Sequence, residues 1–423
     1  MDQTADSAVA AIPWPAMNDH RGPRPETLLI TLTGKDRPGV TSSIFATLSR
    51  AGVEVVDIEQ IVLRRRLILG VLVTIPRDWK KLKEAVEATA RDLGMNVEID
   101  RGTGDNRVRR GGRSHVTVIG TPLKASQMGA IAGRIADSGA NIDRIERMAR
   151  YPVTAIDLHV SGIDTETLRA TLAAEAAQQG VDVAVQPADL QRRGMRLIVM
   201  DVDSTLIQGE VIEMLAEHAG FREQVAEVTE AAMRGELDFE QSLRERVRLL
   251  EGVDASAFDD VYRSIVLTPG ARTLVRILRR LGYRFALVSG GFSQITERLA
   301  DDLGIHFSRA NELEVVDGKL TGRILGDVVD RAGKARALRE FAAELGLTEA
   351  SVIAIGDGAN DLDMLNAAGL GIAYNAKPIV QDAADTAVNV PYLDTILYLL
   401  GISREEIEAA DAAEGIVTPA PPV

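Results

Sequence analysis

Between Arg196 and Thr205 the chain reads RLIVMDVDST, and the apolar run Leu197–Met200 stops abruptly at Asp201 and Asp203. An apolar run this short, bracketed by arginine and polar residues, marks a strand covered on both faces, as in a parallel sheet. Carboxylates just past the carboxyl end of such a strand sit where open α/β sheets take up ligands. Two negative charges this close repel, and a cation or a shared proton relieves them. A turn whose Asp, Ser and Thr only cap the next helix would carry the same residues. On its own the stretch serves either reading equally.

The following residues keep to one pattern. After a polar linker near Gln186 to Gly194, short apolar strands are predicted at 284–288, 351–355, 369–373 and 386–390, alternating with helical stretches. That alternation predicts a doubly wound parallel sheet. About 80 residues separate Asp203 from the next strand, far more than one crossover helix needs. Within them, 229–234 and 239–250 read as amphipathic helices, the second with Leu243, Val247 and Leu250 along one face. The crossover helix is expected at 267–281, begun by Thr268-Pro269-Gly270, so the surplus is expected to form a helical cap over about 207–267. Asp317-Gly318 inside NELEVVDGKLTGRI predicts a hairpin.

Three further polar sites line up with the first aspartate pair. In VSGGF, Ser289 and Gly290 follow Leu287-Val288, and a hydroxyl beside an unhindered amide suits a phosphoryl oxygen. Lys334 stands at the start of a helix in DRAGKARAL, where the macrodipole disfavours it, which hints that its ammonium faces an anion. In AIGDGANDLDML, Asp357, Asn360 and Asp361 follow the strand 352–355, with Gly356 and Gly358 permitting a tight turn. One such loop could merely cap a helix. Four polar strand ends in this order make a shared site the better account.

Ahead of this domain the chain reads as β-α-β-β-α-β: strands at 28–33, 53–63, 67–75 and 96–99, helices at 41–51 and 79–93. The pattern then repeats. The segment from Thr31 lies over that from Thr117, with Gly34 on Gly120, Ala51-Gly52 on Ser138-Gly139 and Ile58-Glu59 on Ile145-Glu146. Two α+β ferredoxin-like modules are therefore expected, over 26–105 and 114–186, joined by the linker RGTGDNRVRRGGR. Residues 1–25 are expected to be a loose arm, 195–402 the main domain, and 403–423 a C-terminal tail.

Composition narrows the chemistry. A net charge of −14 argues against nucleic acid or an anionic membrane as the main partner. There are no cysteines, which removes disulfides, thiol catalysis and thiolate-bound metals. The five histidines show no HExxH spacing. No apolar run approaches the ~20 residues that cross a bilayer, and the N-terminus lacks the basic start and apolar core of a secretory signal. A cytoplasmic protein is expected.

DVDST, SGG, a lone lysine and GDGAND together resemble the four motifs of the haloacid dehalogenase superfamily, in its aspartyl-phosphatase branch. The resemblance runs from Arg196 to about Ile402. Within the predicted cap, Glu210, Phe239 and Arg246, in GEVIEML and FEQSLRERV, look like those of the phosphoserine phosphatase family. The paired N-terminal modules and the DRPG turn resemble ACT domains, as in a long, mycobacterial-type form of that family.

What the resemblance implies agrees with the chemistry of the residues. Asp201 would be the nucleophile, forming an aspartyl-phosphate. Asp203 would protonate the leaving oxygen and then activate water. Mg²⁺ would be held by the Asp201 carboxylate, the Asp203 backbone carbonyl and Asp357, with Asp361 supporting its water shell. Lys334, Ser289 and the Gly290 amide would stabilise charge, and Asn360 would contact the substrate. Glu210 would pair with a substrate ammonium, Arg246 with its carboxylate, and Phe239 would exclude water. Acid–base catalysis supplies about 10²–10⁴ of an acceleration that reaches ~10²¹ for phosphate monoesters, so positioning and charge stabilisation must supply the rest.

The implied reaction is hydrolysis of O-phospho-L-serine to L-serine and phosphate, the last step of serine biosynthesis, in a homodimer or higher homo-oligomer. An amino-acid effector such as L-serine would bind at Asp36, Arg37, Pro38 and Gly39; the second copy has TPLKASQ there and has lost those residues. Two other readings remain at this stage. One is a phosphatase or phosphotransferase acting on a different small phosphomonoester; the other is an amino-acid sensor carrying a vestigial phosphatase.

Overall fold

The computed structural model describes residues 26–104, 111–189, 194–233 and 236–418. The expected N-terminal arm, residues 105–110 and 190–193 of the two linkers, and 419–423 lie outside the described residues. The chain divides into two compact units, Met1–Arg109 and Arg110–Val423.

In the first unit, strands β1 (Glu26–Lys35), β2 (Val55–Leu63), β3 (Arg66–Thr74) and β4 (Asn96–Thr103) form an antiparallel sheet in the order β2-β3-β1-β4. Strand alternation places Leu28, Ile30 and Leu32 on the same face as Leu67, Leu69, Val71 and Val73. Helices Val40–Arg50 and Trp79–Asp92 cover that face through Ile44, Leu48, Leu82 and Val86. Gly39 precedes the first helix with φ 95°, a left-handed value that favours glycine and explains it in the DRPG turn.

The second module repeats the plan. Strands β5 (Arg113–Gly120), β6 (Asn141–Ala149), β7 (Thr154–Ser161) and β8 (Asp182–Pro187) take the order β6-β7-β5-β8, the counterpart of the first sheet. The duplication seen in sequence is thus a duplication of topology.

The third sheet has seven strands in the order β12-β11-β10-β9-β13-β14-β15. These are β9 (Leu197–Met200), β10 (Arg284–Phe292), β11 (Phe307–Val316), β12 (Lys319–Leu325), β13 (Val352–Gly356), β14 (Leu370–Tyr374) and β15 (Thr386–Val388). All neighbours are parallel except β11 and β12, the hairpin that turns at Asp317-Gly318 with φ of 52° and 75°. The central β9, fully buried, lies between β10 and β13, so the chain leaves it first to one side and later to the other. Ligands bind at such a switch point, beyond the strands' carboxyl ends.

Between β9 and β10 the described residues include α-helices Val211–Ala219, Arg222–Met233, Phe239–Arg248 and Ala257–Ser264 ahead of the crossover. Two details differ from the sequence reading. The helix expected at 229–234 runs over Arg222–Met233, and an earlier one, Val211–Ala219, follows directly on Glu210. The crossover helix is Ala271–Arg280, because Thr268-Pro269-Gly270 is a turn: Gly270 has φ 85°, and a Cβ there would lie 2.3 Å from Asp394 Oδ1.

The second module and the main domain share a core. Ile119, Met148, Ala155 and Ala184 pack in one cluster with Ile198, Met200 and Leu397. Polar clamps border it. Asp182 accepts from the amides of Asn389 (2.7 Å) and Val390 (3.2 Å), and Gln186 donates to the Leu399 carbonyl at 2.9 Å. The stretch set apart as a tail contains a helix, Arg404–Ala413, with Ile407 and Asp411 fully buried.

Candidate active site

Residues from the ends of β9, β10 and β13 and from the start of one helix converge on a cavity of about 420 Å³. Asp201 follows β9, and its amide donates to the Ile355 carbonyl of β13 at 2.9 Å, so the sheet ladder fixes it. Its side chain is 5 % exposed. Lys334 is fully buried in the first turn of helix Arg331–Glu344, whose N-cap Asp330 accepts from Gly333. Lys334 Nζ stands 2.8 Å from Asp201 Oδ1 and 2.6 Å from Asp361 Oδ1. The misplaced lysine does face anions, and they belong to the protein itself.

Asp203 lies on the wide turn after β9, where Ser204 takes a left-handed φ of 56°. Its two carboxylate oxygens accept from the Val211 amide (2.7 Å) and the Ser289 hydroxyl (3.0 Å). Burial raises its pKa against those bonds, so it holds a proton more readily than an exposed aspartate. The Ser289 hydroxyl also accepts from the Gly291 amide at 2.7 Å. This differs from the expectation that Ser289 opens toward a phosphoryl group: it is fully buried and orients Asp203, while Gly290 and Gly291 line the cavity.

On the β13 side, Asp357 accepts from the Thr205 hydroxyl at 3.1 Å. Burial and the neighbouring Asp361 push its pKa up to about 6. Asp361 accepts from the Gly358 amide at 3.0 Å. A Cβ on Gly356 would sit 2.5 Å from the Asp361 carboxyl carbon, so this approach requires glycine. Oxygen atoms of Asp201, Asp357 and Asp361 lie within 4.8 Å of one another. Asp201 Oδ1 is buried without an aligned hydrogen-bond partner, despite Lys334 beside it. Three carboxylates against one ammonium leave an excess of negative charge, and an all-oxygen donor set of this kind fits a hard divalent cation.

The helices above close the cavity. Phe239 reaches the end of β10: a Cβ on Gly290 would lie 3.1 Å from Phe239 Cζ. Glu210 Oε2 and Arg246 NH1 stand 4.0 Å apart, with the Arg246 side chain 11 % exposed. Asn360 lines the floor. By contrast, Asp36, Arg37, Pro38 and Gly39 are exposed and lie in the first unit, where Arg37 donates to the Leu93 carbonyl.

Several positioning residues escaped the sequence reading. Thr205 holds Asp357, Gly291 holds Ser289, and Asn311 bridges the Gly290 carbonyl and the Val329 amide at 2.8 Å each. Thr205 and Gly291 stand inside the DVDST and SGG motifs, so a signal was present. Asn311 has none, being near in space only.

A family model described as haloacid dehalogenase-like hydrolase matches residues 198–366, and two ACT domain models match 26–100 and 113–186. A phosphoserine phosphatase of Streptomyces coelicolor is 61 % identical over 91 % of this chain and 94 % of its own. One from Mycobacterium tuberculosis is 51 % identical, covering 93 % and 97 %. Among solved structures, a probable phosphoserine phosphatase of Vibrio cholerae aligns with TM-score 0.54 and 34 % identity over 71 % of this chain and 88 % of that one.

Proposed function

The chain belongs to the phosphoserine phosphatase family, with two ACT domains ahead of a haloacid dehalogenase-like hydrolase domain, and from that premise we propose that it hydrolyses O-phospho-L-serine through an aspartyl-phosphate on Asp201. The observation that carries this reading is one cavity lined by Asp201, Asp203, Asp357, Glu210 and Arg246, with Lys334 buried 2.8 Å from Asp201.

Asp201 attacks phosphorus as the bond to the serine oxygen breaks. Asp203, whose raised pKa suits a proton donor, protonates that oxygen. As a carboxylate it then takes a proton from the water that attacks the aspartyl-phosphate, which frees phosphate and restores Asp201. Ser289 and Val211 keep the Asp203 carboxyl in place through both steps. Lys334 offsets charge on Asp201 and the phosphoryl group, and the Gly290 amide borders the site where phosphoryl oxygens develop charge.

The cation in this reading would be Mg²⁺, which the Asp201 carboxylate, the Asp203 carbonyl and Asp357 would hold while Asp361 would support its water shell. When bound it neutralises charge, so that a carboxylate can approach a dianionic phosphate. Glu210 takes the substrate ammonium and Arg246 its carboxylate; their 4.0 Å separation lets one amino-acid head bridge both. Phe239 excludes water.

The ACT domains imply an amino-acid effector. We assign L-serine to that role and the loop Asp36–Gly39 to its binding. The protein is cytoplasmic in this reading, and a homodimer is supported by edge strand β2, which carries exposed Ile58, Ile61 and Leu63.

The deciding experiment measures phosphate release from L-phosphoserine with and without Mg²⁺, beside Asp201→Asn and a panel of other phosphomonoesters. Metal-dependent turnover that prefers phosphoserine and vanishes in the variant is expected. Turnover of other esters but not phosphoserine would refute the assignment of Glu210 and Arg246.

A further inference from the structure

Of the five histidines in the chain, two meet over one aspartate on the second ACT module. β5 and β7 pair antiparallel with His115 directly opposite His159. Asp157 lies two residues before His159, so strand alternation returns it to the same face. The other face, with Val116, Val118, Leu158 and Val160, is the one that helices Ala125–Asp137 and Thr165–Gln179 cover. The histidine face continues through Ile119 and Ala155 into the core shared with the catalytic domain.

His115 Nδ1 is 2.8 Å from Asp157 Oδ2, and the Thr117 hydroxyl fixes the other carboxylate oxygen at 3.1 Å. His159 Nε2 is enclosed and has no hydrogen-bond partner; Asp157 Oδ2 is 3.7 Å away and Glu146 Oε2 3.9 Å. The two rings meet edge to face, 4.5 Å between centroids. One ligand atom from each of His115, Asp157 and His159 lies within 4.8 Å of the others.

We propose that His115, Asp157 and His159 form a second cation site, which takes a divalent transition-metal ion such as Zn²⁺. A plain hydrogen-bonded pair accounts for His115 and Asp157. It leaves the second imidazole nitrogen, turned toward the same oxygen, without a purpose. Tetrahedral Zn²⁺ bonds of about 2.0–2.2 Å set neighbouring ligand atoms roughly 3.4 Å apart, so shifts on the order of 0.5 Å bring both nitrogen distances to Asp157 Oδ2, 2.8 and 3.7 Å, to that spacing. Thr117 already supplies the outer hydrogen bond that such ligands need. Glu146, now paired with Arg144 at 2.6 Å, is within reach as a fourth ligand. Two imidazoles and a carboxylate select Zn²⁺ or Co²⁺ over Mg²⁺, the reverse of the all-oxygen set in the catalytic cavity.

The site also adjoins a joint. His115 stands opposite Gln186 on β8, and Gln186 bonds the Leu399 carbonyl of the catalytic domain. A cation that ties β5 to β7 at this row stiffens the strands that carry that contact, so occupancy raises the unfolding temperature of the second unit.

The test uses the full-length chain, stripped with chelator and kept in excess Mg²⁺, then titrated with Co²⁺ alone. Visible absorption should report one tetrahedral Co²⁺ per chain, displaced stoichiometrically by Zn²⁺, and Asp357→Asn should retain the signal. His159→Gln should weaken Co²⁺ binding at least ~10-fold and leave Mg²⁺-dependent activity unchanged. X-ray absorption at the zinc edge of the unaltered protein should show imidazole scattering, whatever the folding of the variants. No Co²⁺ signal, an all-oxygen zinc shell, or a signal that survives His115→Gln with His159→Gln would each overturn the proposal.

Discussion

Lys334 Nζ lies 2.8 Å from Asp201 Oδ1, and both groups are shut off from solvent. Burial alone would lower the lysine pKa; Asp201 and Asp361 more than reverse this and hold it above the ordinary value. Burial and Asp361 drive the Asp201 pKa up as well, well above the usual carboxylate range, against the pull of Lys334. Lys334 therefore works against burial and Asp361 in favouring the ionised nucleophile, and the site's chemistry depends on that contact.

Lys334→Met keeps most of the volume and removes the charge. Activity should fall by roughly 10²–10³, the cost of losing one charge-stabilising donor in a closed site. Without divalent cation the variant should also be about 3 kcal/mol less stable, because buried carboxylates lose their partner. Phosphate release and urea unfolding, each with and without Mg²⁺, check both. Unaltered activity would remove Lys334 from the mechanism.

Asp357 couples the cation to pH. Its folded-state pKa of about 6 stands above the ordinary 3.8. A raised carboxyl pKa contributes stability that is full below about 3.8 and gone once pH passes about 6. The cation-free protein should thus lose this contribution between those values. Cation binding runs oppositely, since it must displace the proton: affinity should weaken up to tenfold per unit as pH falls below about 6. Calorimetry in buffers of different ionisation enthalpy should detect more proton release at pH 5.5 than at pH 7.5, the difference coming from Asp357.

The paired cap residues separate by substrate. Arg246→Ala should raise KM for phosphoserine about 10- to 100-fold, the value of charge-assisted bonds to a carboxylate. It should barely affect phosphoethanolamine, which has no carboxylate. Glu210→Gln should weaken both esters, because both keep the ammonium. Steady-state kinetics on the two substrates decide it, and equal losses in Arg246→Ala would refute the assignment.

What could be read from the sequence were features that a short stretch carries by itself. Leu197–Met200 announces a buried strand, Asp201 and Asp203 its polar end, and Lys334 its conflict with a helix terminus. The repeat from Thr31 to Thr117 gave the two modules because strand and helix periods recur at one spacing. Partnerships between distant elements could not be read. Ser289 turns to Asp203 across 86 residues, and nothing in VSGGF marks its hydroxyl as a positioning group. His115 and His159 are scattered in sequence and meet only through the register of β5 and β7. The expected cap over about 207–267 did not resolve its first helix, Val211–Ala219, although that helix is amphipathic: Val211, Ile212, Leu215 and Ala216 are buried while Glu213, Glu217 and His218 are exposed.

The C-terminal helix offers the sharpest case of such a long-range partnership. Asp411, fully buried, accepts from Arg276 Nε (3.0 Å), Arg276 NH2 (2.7 Å) and Arg280 NH1 (2.7 Å), all on the crossover helix Ala271–Arg280. Burial opposes ionisation, yet the bonds from Arg276, Thr418 and Arg280 hold its pKa down at about 2. A depressed carboxyl pKa gives stability that is complete above the unfolded value of 3.8 and is lost as pH falls through about 2. Asp411→Asn should therefore cost about 2–3 kcal/mol at pH 7, with the same cost at pH 5, since two arginines lose a buried partner. Denaturant unfolding at both values tests this, and a cost that shrinks by half between pH 7 and pH 5 would mean that the arginines do not hold the carboxylate ionised. Because the same crossover helix begins beside Thr268, whose hydroxyl bonds the Thr205 carbonyl at 2.6 Å, the loosened variant should also lose cation affinity through Thr205 and Asp357.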